Sequence, residues 1–152
     1  MRFTFSARPA PSAFVPAALA LALALTALPA AAGTNRVSVD QWGRDNGVAT
    51  AQTGTRQRVT LTQRGRGNHA FTTQDGARNR VTVGQAGCHN VADTAQSGRR
   101  NIVGVAQIGC RNDATVSQAG HRNAVGVIQT GSGNTASTTQ HGTGNIILII
   151  QE

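Results

Sequence analysis

Two cysteines and four histidines are the side chains of this chain best suited to covalent or metal chemistry. The cysteines are Cys88 and Cys110, and His89 directly follows the first of them. Thiolates pair as a disulfide or bind a metal ion according to their surroundings. A site of two thiolates and one imidazole lacks the fourth ligand that a structural zinc site needs. The alternatives are therefore a disulfide, free or intermolecular thiols, and an incomplete metal site.

Acid and base chemistry has little support in the sequence. An enzyme of this type needs a proton donor and a proton acceptor held in one geometry, whereas the carboxylates and imidazoles here fall at unrelated points of the chain. We predict that the protein is not an enzyme and uses no cofactor. The scattered residues are Asp40, Asp45, Asp75, Asp93, Asp113, His69, His89, His121 and His141.

Every lysine or arginine position of the chain is an arginine, 14 in all, and there is no tyrosine. Charged residues make up only 13% of the chain, against about 25% in an average soluble domain. The composition excludes an ordinary globular enzyme. The formal charge is nevertheless +8, which predicts an affinity for anionic partners.

Residues 1–32 have the pattern of a secretory signal peptide. Arg2 and Arg8 precede an apolar run over 17–28, and Ala30 and Ala32 form an A-x-A cleavage pattern before Gly33. The run is shorter than the roughly 20 apolar residues of a transmembrane helix. We therefore expect a secreted mature chain over 33–152 with no transmembrane segment.

An eleven-residue repeat fills residues 35–152. Each unit begins with an amide residue, has Gln six residues later, and in all but the last unit has Gly two residues after that Gln. The opening residues are Asn35, Asn46, Gln57, Asn68, Asn79, Asn90, Asn101, Asn112, Asn123, Asn134 and Asn145. The glutamines are Gln41, Gln52, Gln63, Gln74, Gln85, Gln96, Gln107, Gln118, Gln129, Gln140 and Gln151. The glycines are Gly43, Gly54, Gly65, Gly76, Gly87, Gly98, Gly109, Gly120, Gly131 and Gly142.

The repeat predicts strands rather than a helix. A right-handed coiled coil also has an eleven-residue period, but a Gly in every unit disfavours a helix. Each unit instead predicts seven extended residues and a four-residue turn at the Gly. Odd units carry Val, Leu or Ile at the inward positions, whereas even units carry mainly Ala and Thr. We predict an all-β fold, a two-sheet β-solenoid with two repeat units per coil and about 5.5 coils.

Alternating side chains in each strand place the opening amide and the Gln on the inner face. Coils stacked at about 4.8 Å superpose identical amides, each of which can donate to one neighbour and accept from the other. We therefore predict ladders of Asn and of Gln side chains that satisfy buried polar groups without a large apolar core.

The repeat resembles the curlin repeat of bacterial curli fibre subunits, S-x5-Q-x-G-x-x-N-x-A-x3-Q. Gln57, Gln63, Gly65, Asn68, Ala70 and Gln74 carry this pattern, and the blocks that open at Asn79, Asn101 and Asn123 repeat it. Asn or Gln replaces the opening Ser, and the first block has Val48 in place of Ala. The resemblance implies secreted subunits that polymerise into functional amyloid for adhesion and biofilm matrix.

The resemblance also implies partners. These are further curlin subunits and a dedicated outer-membrane export machinery, although only Gly33 and Thr34 separate the expected cleavage point from the repeats. We expect a fibre subunit, with a minor nucleating or anchoring subunit as the alternative. An ice-binding β-solenoid is a further alternative, but its regular outward Thr array is missing here.

The solenoid sets the chemistry of three further groups. Cys88 and Cys110 occupy the same turn position in successive coils, about 4.8 Å apart, which favours an intramolecular disulfide. Ile146, Leu148 and Ile150 point outwards on an eleventh strand, and we expect them to form a docking edge. A column of turn arginines predicts either a solvated surface or a rail for polyanions such as extracellular DNA or acidic polysaccharide. The rail residues are Arg56, Arg78, Arg100 and Arg122.

Overall fold

The computed structural model describes residues 2–5 and 33–152, and all regular structure in them is β-strand. The signal-peptide prediction for residues 1–32 therefore falls outside the described residues except for the backbone of Arg2–Phe5. The strands are β1 Arg2–Phe5, β2 Arg36–Arg44, β3 Gly47–Thr55, β4 Arg58–Arg66, β5 His69–Ala77, β6 Arg80–Cys88, β7 Val91–Arg99, β8 Ile102–Cys110, β9 Asp113–His121, β10 Ala124–Ser132, β11 Thr135–Thr143 and β12 Ile146–Gln151.

Successive strands alternate between two parallel sheets. One sheet has seven strands in the order β1-β2-β4-β6-β8-β10-β12, and the other has five in the order β3-β5-β7-β9-β11. We call the first the odd sheet, because its strands β2 to β12 come from the odd-numbered repeat units, and the second the even sheet. From β2 to β12 each strand pairs with the next strand but one along the chain, as Val59 of β4 does with Val81 of β6. The predicted two-sheet β-solenoid is confirmed.

The core lies between the two sheets and is thin. Val and Leu side chains of the odd sheet face Ala and Thr of the even sheet, so large and small groups alternate across the gap. Val59, Val81 and Ala92 are completely buried. The remaining interior is amide, with most of the repeat Asn and Gln side chains buried as well. Hydrogen bonds along the stack therefore add to the stability that the thin apolar core provides.

The strands are longer than the predicted seven residues. Each of β2 to β11 has nine residues and continues through the repeat Gly to the residue after it. The reason is that the turns stack in register too, so that Gly87 pairs with Gly109 and Cys88 with Cys110 as parts of the same ladder.

The described residues contain no helix that could span a membrane.

Candidate functional site

The glutamines form two continuous ladders, one inside each sheet. Each Gln Nε2 donates to the Oε1 of the matching Gln in the next coil, over distances of 2.6 to 3.0 Å. Gln85, for example, accepts from Gln63 and donates to Gln107. All links run in one direction, so each ladder ends in an acceptor at the first coil and a donor at the last coil.

The asparagines bond differently from the predicted amide ladder. Asn101 Oδ1 accepts the backbone N–H of Asn123 in the next coil at 3.1 Å. Its Nδ2 donates to two turn carbonyls, at 2.8 Å to Ser97 and at 3.0 Å to Gly120. Direct bonds between Asn side chains occur only at the contacts of Asn68 with Asn46 and Asn90 within the described chain. Asn therefore caps the turns, because its side chain is too short to reach past the backbone groups beside it.

The repeat glycines hold the turns together for two separate reasons. Their φ angles lie between 87° and 122°, a region that other residues resist. A Cβ on Gly87 would also overlap the carbonyl oxygen of Gly109 in the next coil. Gly131 has no coil stacked on it, and the nearest atom to a Cβ there is 3.6 Å away. The Gly is thus required by stacking wherever another coil follows.

The two ends of the even-sheet ladder are buried and incomplete. Gln52 Oε1 in β3 and Gln140 Nε2 in β11 lack any hydrogen-bond partner in the described chain. One is an acceptor at the first coil, and the other is a donor at the last coil. A second copy stacked with its β2 on β12 would leave one strand position of the even sheet empty, so these two groups would lie two strand spacings, about 10 Å, apart, and an added strand with an amide in this register could join them.

Three stretches of the chain, residues 54–87, 89–120 and 109–142, match the family described as curlin associated repeat. The chain belongs to this family. The match confirms the resemblance drawn from the repeat residues, and the family and the fold together indicate a structural protein. The comparison with curated proteins gives no match.

The cysteines of the curlin repeats form a disulfide. Cys88 and Cys110 end β6 and β8, their Cα atoms are 4.5 Å apart, and the bond joins two successive odd turns. Neither thiol remains available for a metal ion. Among the described residues no group of three or more His, Cys, Asp or Glu side chains is arranged to hold a metal.

The last repeat unit, residues 145–151, exposes three apolar side chains. Ile146, Leu148 and Ile150 of β12 are 81%, 64% and 60% exposed, whereas Ile147 and Ile149 pack against the core. Ile128 on the neighbouring strand β10 is also exposed. The outer face of the odd sheet is therefore apolar at its C-terminal end.

The four rail arginines stack at the turns that lead from the even sheet back to the odd sheet. All four are exposed and have positive φ angles between 57° and 61°. The backbone N–H of each of the last three donates to a carbonyl in the preceding coil at 3.0 Å, as Arg100 does to Ala77. The turns, and with them the Cα positions of this column, are therefore fixed by the stacking itself. No feature of the composition indicates these φ angles, which become visible only in the structure.

Two side-chain contacts involve carboxylates or imidazoles on the outer faces of the sheets. The Trp42 Nε1 donates to Asp40 Oδ1 at 2.6 Å, and the rings of His69 and Phe71 are 6.5 Å apart and nearly parallel. Both pairs lie on exposed outer faces. Neither places a carboxylate and an imidazole together as an acid and a base.

Proposed function

We propose that the chain is a secreted structural subunit that polymerises by stacking of its β-edges into an extracellular curli-type amyloid, which serves adhesion and biofilm matrix. The proposal rests on the curlin repeats and on the shape of the two solenoid ends. An open edge of a parallel sheet presents unpaired N–H and C=O groups that template another strand.

The observation that carries the proposal is the pair of incomplete ladder ends in the even sheet. Gln140 is only 4% exposed, so its free Nε2 is removed from water without compensation. A buried polar group without a partner costs about 1–3 kcal/mol. A strand added at either end of the even sheet, with an amide in the register of the Gln ladder, would supply the missing bond and remove this cost.

Signal-peptide cleavage during export would open the edge of the odd sheet for stacking as well. Strand β1 pairs in parallel with β2, from Arg2 on Arg36 to Phe5 on Val39. Cleavage after residue 32 would remove β1 and open the edge of β2. In this proposal both sheets of the mature chain then present a free edge at the first coil.

The experiment is to incubate the purified mature chain alone and to follow thioflavin fluorescence and fibre diffraction. A subunit of this kind gives fibres with one reflection at about 4.8 Å and another at about 10 Å, and its fibres shorten the lag of fresh protein. A chain that remains monomeric alone and seeds no other curlin would overturn the proposal.

A second candidate is a minor subunit that nucleates or anchors the fibre at the outer membrane. The observation in its favour is the exposed apolar face of Ile146, Leu148 and Ile150, which the polar first coil of another copy does not match. A chain that stays monomeric alone but removes the lag of a different curlin would favour this candidate over the first.

A further inference from the structure

Most of the positive charge of the solenoid lies along one edge. Eight of the twelve arginines of residues 33–152 line two adjoining grooves, of about 620 Å³ and 310 Å³, which share Arg78. His121 lines the second groove, and no acidic side chain lines either within the described chain. These eight arginines are Arg36, Arg56, Arg58, Arg78, Arg80, Arg99, Arg100 and Arg122. We call this surface the arginine groove.

The turn arginines lie at backbone positions that disfavour a long side chain. Arg56, Arg78, Arg100 and Arg122 have φ angles in the left-handed region, where Gly is favoured and long side chains are strained. Gly144 occupies the same turn position one coil later with a φ of 74°. Four successive coils thus carry Arg where Gly would fit without strain.

The fold also stacks like charges in this groove. Arg36, Arg58 and Arg80 are direct neighbours in the odd sheet, and like charges paired across strands destabilise a sheet. The turn arginines repeat beside them at the same strand spacing. Nothing that the grooves contain offsets this repulsion, whereas a bound polyanion would.

We propose that the arginine groove binds an extended polyuronate, a polysaccharide with one carboxylate on each sugar ring. The four turn arginines form a straight column about 14 Å long, three strand spacings. The planar guanidinium matches a carboxylate through two parallel hydrogen bonds. An extended polymer with a charge on every ring can therefore run straight along this column, so that the carboxylates on its facing side reach arginines of the column without bending. This inference does not depend on whether the chain assembles.

Nucleic acid fits the groove less well. Single strands are held chiefly by stacking of bases on aromatic side chains, and neither groove is lined by one. The phosphates of a duplex wind around its axis, so a straight column meets only a short arc of them. The geometry thus favours an unbranched carboxylated sugar polymer over DNA.

The test compares two variants of the full chain that lose the same charge. The groove variant replaces Arg56, Arg78, Arg100 and Arg122 by Gly, which adopts the same φ without strain and should leave folding unchanged. The control variant replaces the arginines outside the groove, with Gln at three positions and Gly at the left-handed Arg111. These control positions are Arg44, Arg64, Arg66 and Arg111.

Binding is measured by fluorescence anisotropy of labelled polygalacturonate at several salt concentrations, with a DNA duplex of equal charge and uncharged dextran as comparison probes. We expect the groove variant to lose at least about tenfold in affinity and about half of the salt dependence, since four of the eight groove arginines remain, and the control variant to stay within about threefold. An equal loss in both variants would reduce the effect to net charge and overturn the site. Tighter groove-dependent binding of DNA would overturn the class of ligand.

Discussion

Gln118 Nε2 donates a hydrogen bond of 2.9 Å to Gln140 Oε1, and the Nε2 of Gln140 then has no acceptor in the described chain. The ladder of the even sheet therefore ends in a donor that faces outwards along the solenoid axis. At the other end, Gln52 donates to Gln74 and leaves its own Oε1 without a donor. Both ends of the even sheet can therefore accept one more strand, although β12 keeps a second copy from placing its Gln52 directly on Gln140.

The first prediction is that Gln140→Glu blocks assembly at neutral pH while the interior coils stay folded. A carboxylate still accepts the bond from Gln118, so the interior ladder is kept. It cannot donate to an acceptor on an added strand, and it places a charge at the end of the even sheet. Protonation below about pH 4 restores an O–H donor, so thioflavin kinetics should show assembly returning in acid.

Thr139→Glu is the matched control for this prediction. Thr139 is exposed on the outer face of the same strand, and its replacement adds the same charge without touching the ladder. Assembly of this variant at neutral pH should resemble that of the unchanged chain. If Gln140→Glu assembles equally well at neutral pH, fibre growth does not use this ladder end.

Much of the fold could be predicted from the sequence because the repeat leaves few choices. Strict recurrence of Gln and Gly at eleven residues fixes one strand and one turn in each unit. Large inward residues such as Val81 alternate with small ones such as Ala92 from one unit to the next, which assigns successive strands to facing sheets. The stacking of Cys88 on Cys110 follows from the same register.

What the sequence could not supply depends on side-chain length and backbone angles. Asn and Gln carry the same amide, so the pattern does not reveal that Asn101 caps turn carbonyls while Gln107 bonds to Gln129. Arg at a left-handed turn position is likewise invisible, because composition favours Gly, Asn or Asp there. The sequence could predict the column of positive charge in the groove, but not the strained backbone angles of its turn arginines.

A second prediction is that Gln57→Asn stabilises the monomer by about 1 kcal/mol. Gln57 is the single substitute at the opening position of the repeat, and its buried Oε1 has no partner. Asn79 at the same position one coil later accepts the backbone N–H of Asn101 at 3.0 Å. The free energy of unfolding from urea titration should rise, and the reverse change Asn101→Gln should lower it. A less stable Gln57→Asn variant would contradict this account of the orphaned oxygen.

A third prediction separates the two roles of the turn glycines. Gly131→Ala should cost about 1–2 kcal/mol, because only its φ of 87° is unfavourable. Gly109→Ala adds an overlap with the carbonyl of Gly131 in the next coil, and overpacking costs about a further 1–3 kcal/mol. Unfolding titrations of the two variants should therefore differ by at least about 1 kcal/mol. Equal costs would mean that the stacked turns yield easily.

The fourth prediction concerns the disulfide between Cys88 and Cys110. Non-reducing mass mapping of secreted protein should find the two cysteines linked within one chain. The bond closes a loop of about 22 residues, so replacing both by Ser should lower the free energy of unfolding by roughly 3 kcal/mol. Ala at both positions serves as the control for the added hydroxyls. Two free thiols in secreted material would contradict the register of the odd turns.

The last prediction tests the docking edge at the end of the chain. Deleting residues 145–152 removes β12, which pairs only with β10 and contributes Gln151 to the end of its ladder. The ten strands from β2 to β11 keep their own ladders and should remain folded by circular dichroism. If the apolar edge anchors the subunit, surface attachment and seeding of a partner curlin are lost. Replacing Ile146, Leu148 and Ile150 by Thr keeps β12 and removes only its exposed apolar face, so it should give the same loss while self-assembly continues. Attachment and seeding that survive in both variants would rule out a docking role and leave β12 as an ordinary edge strand.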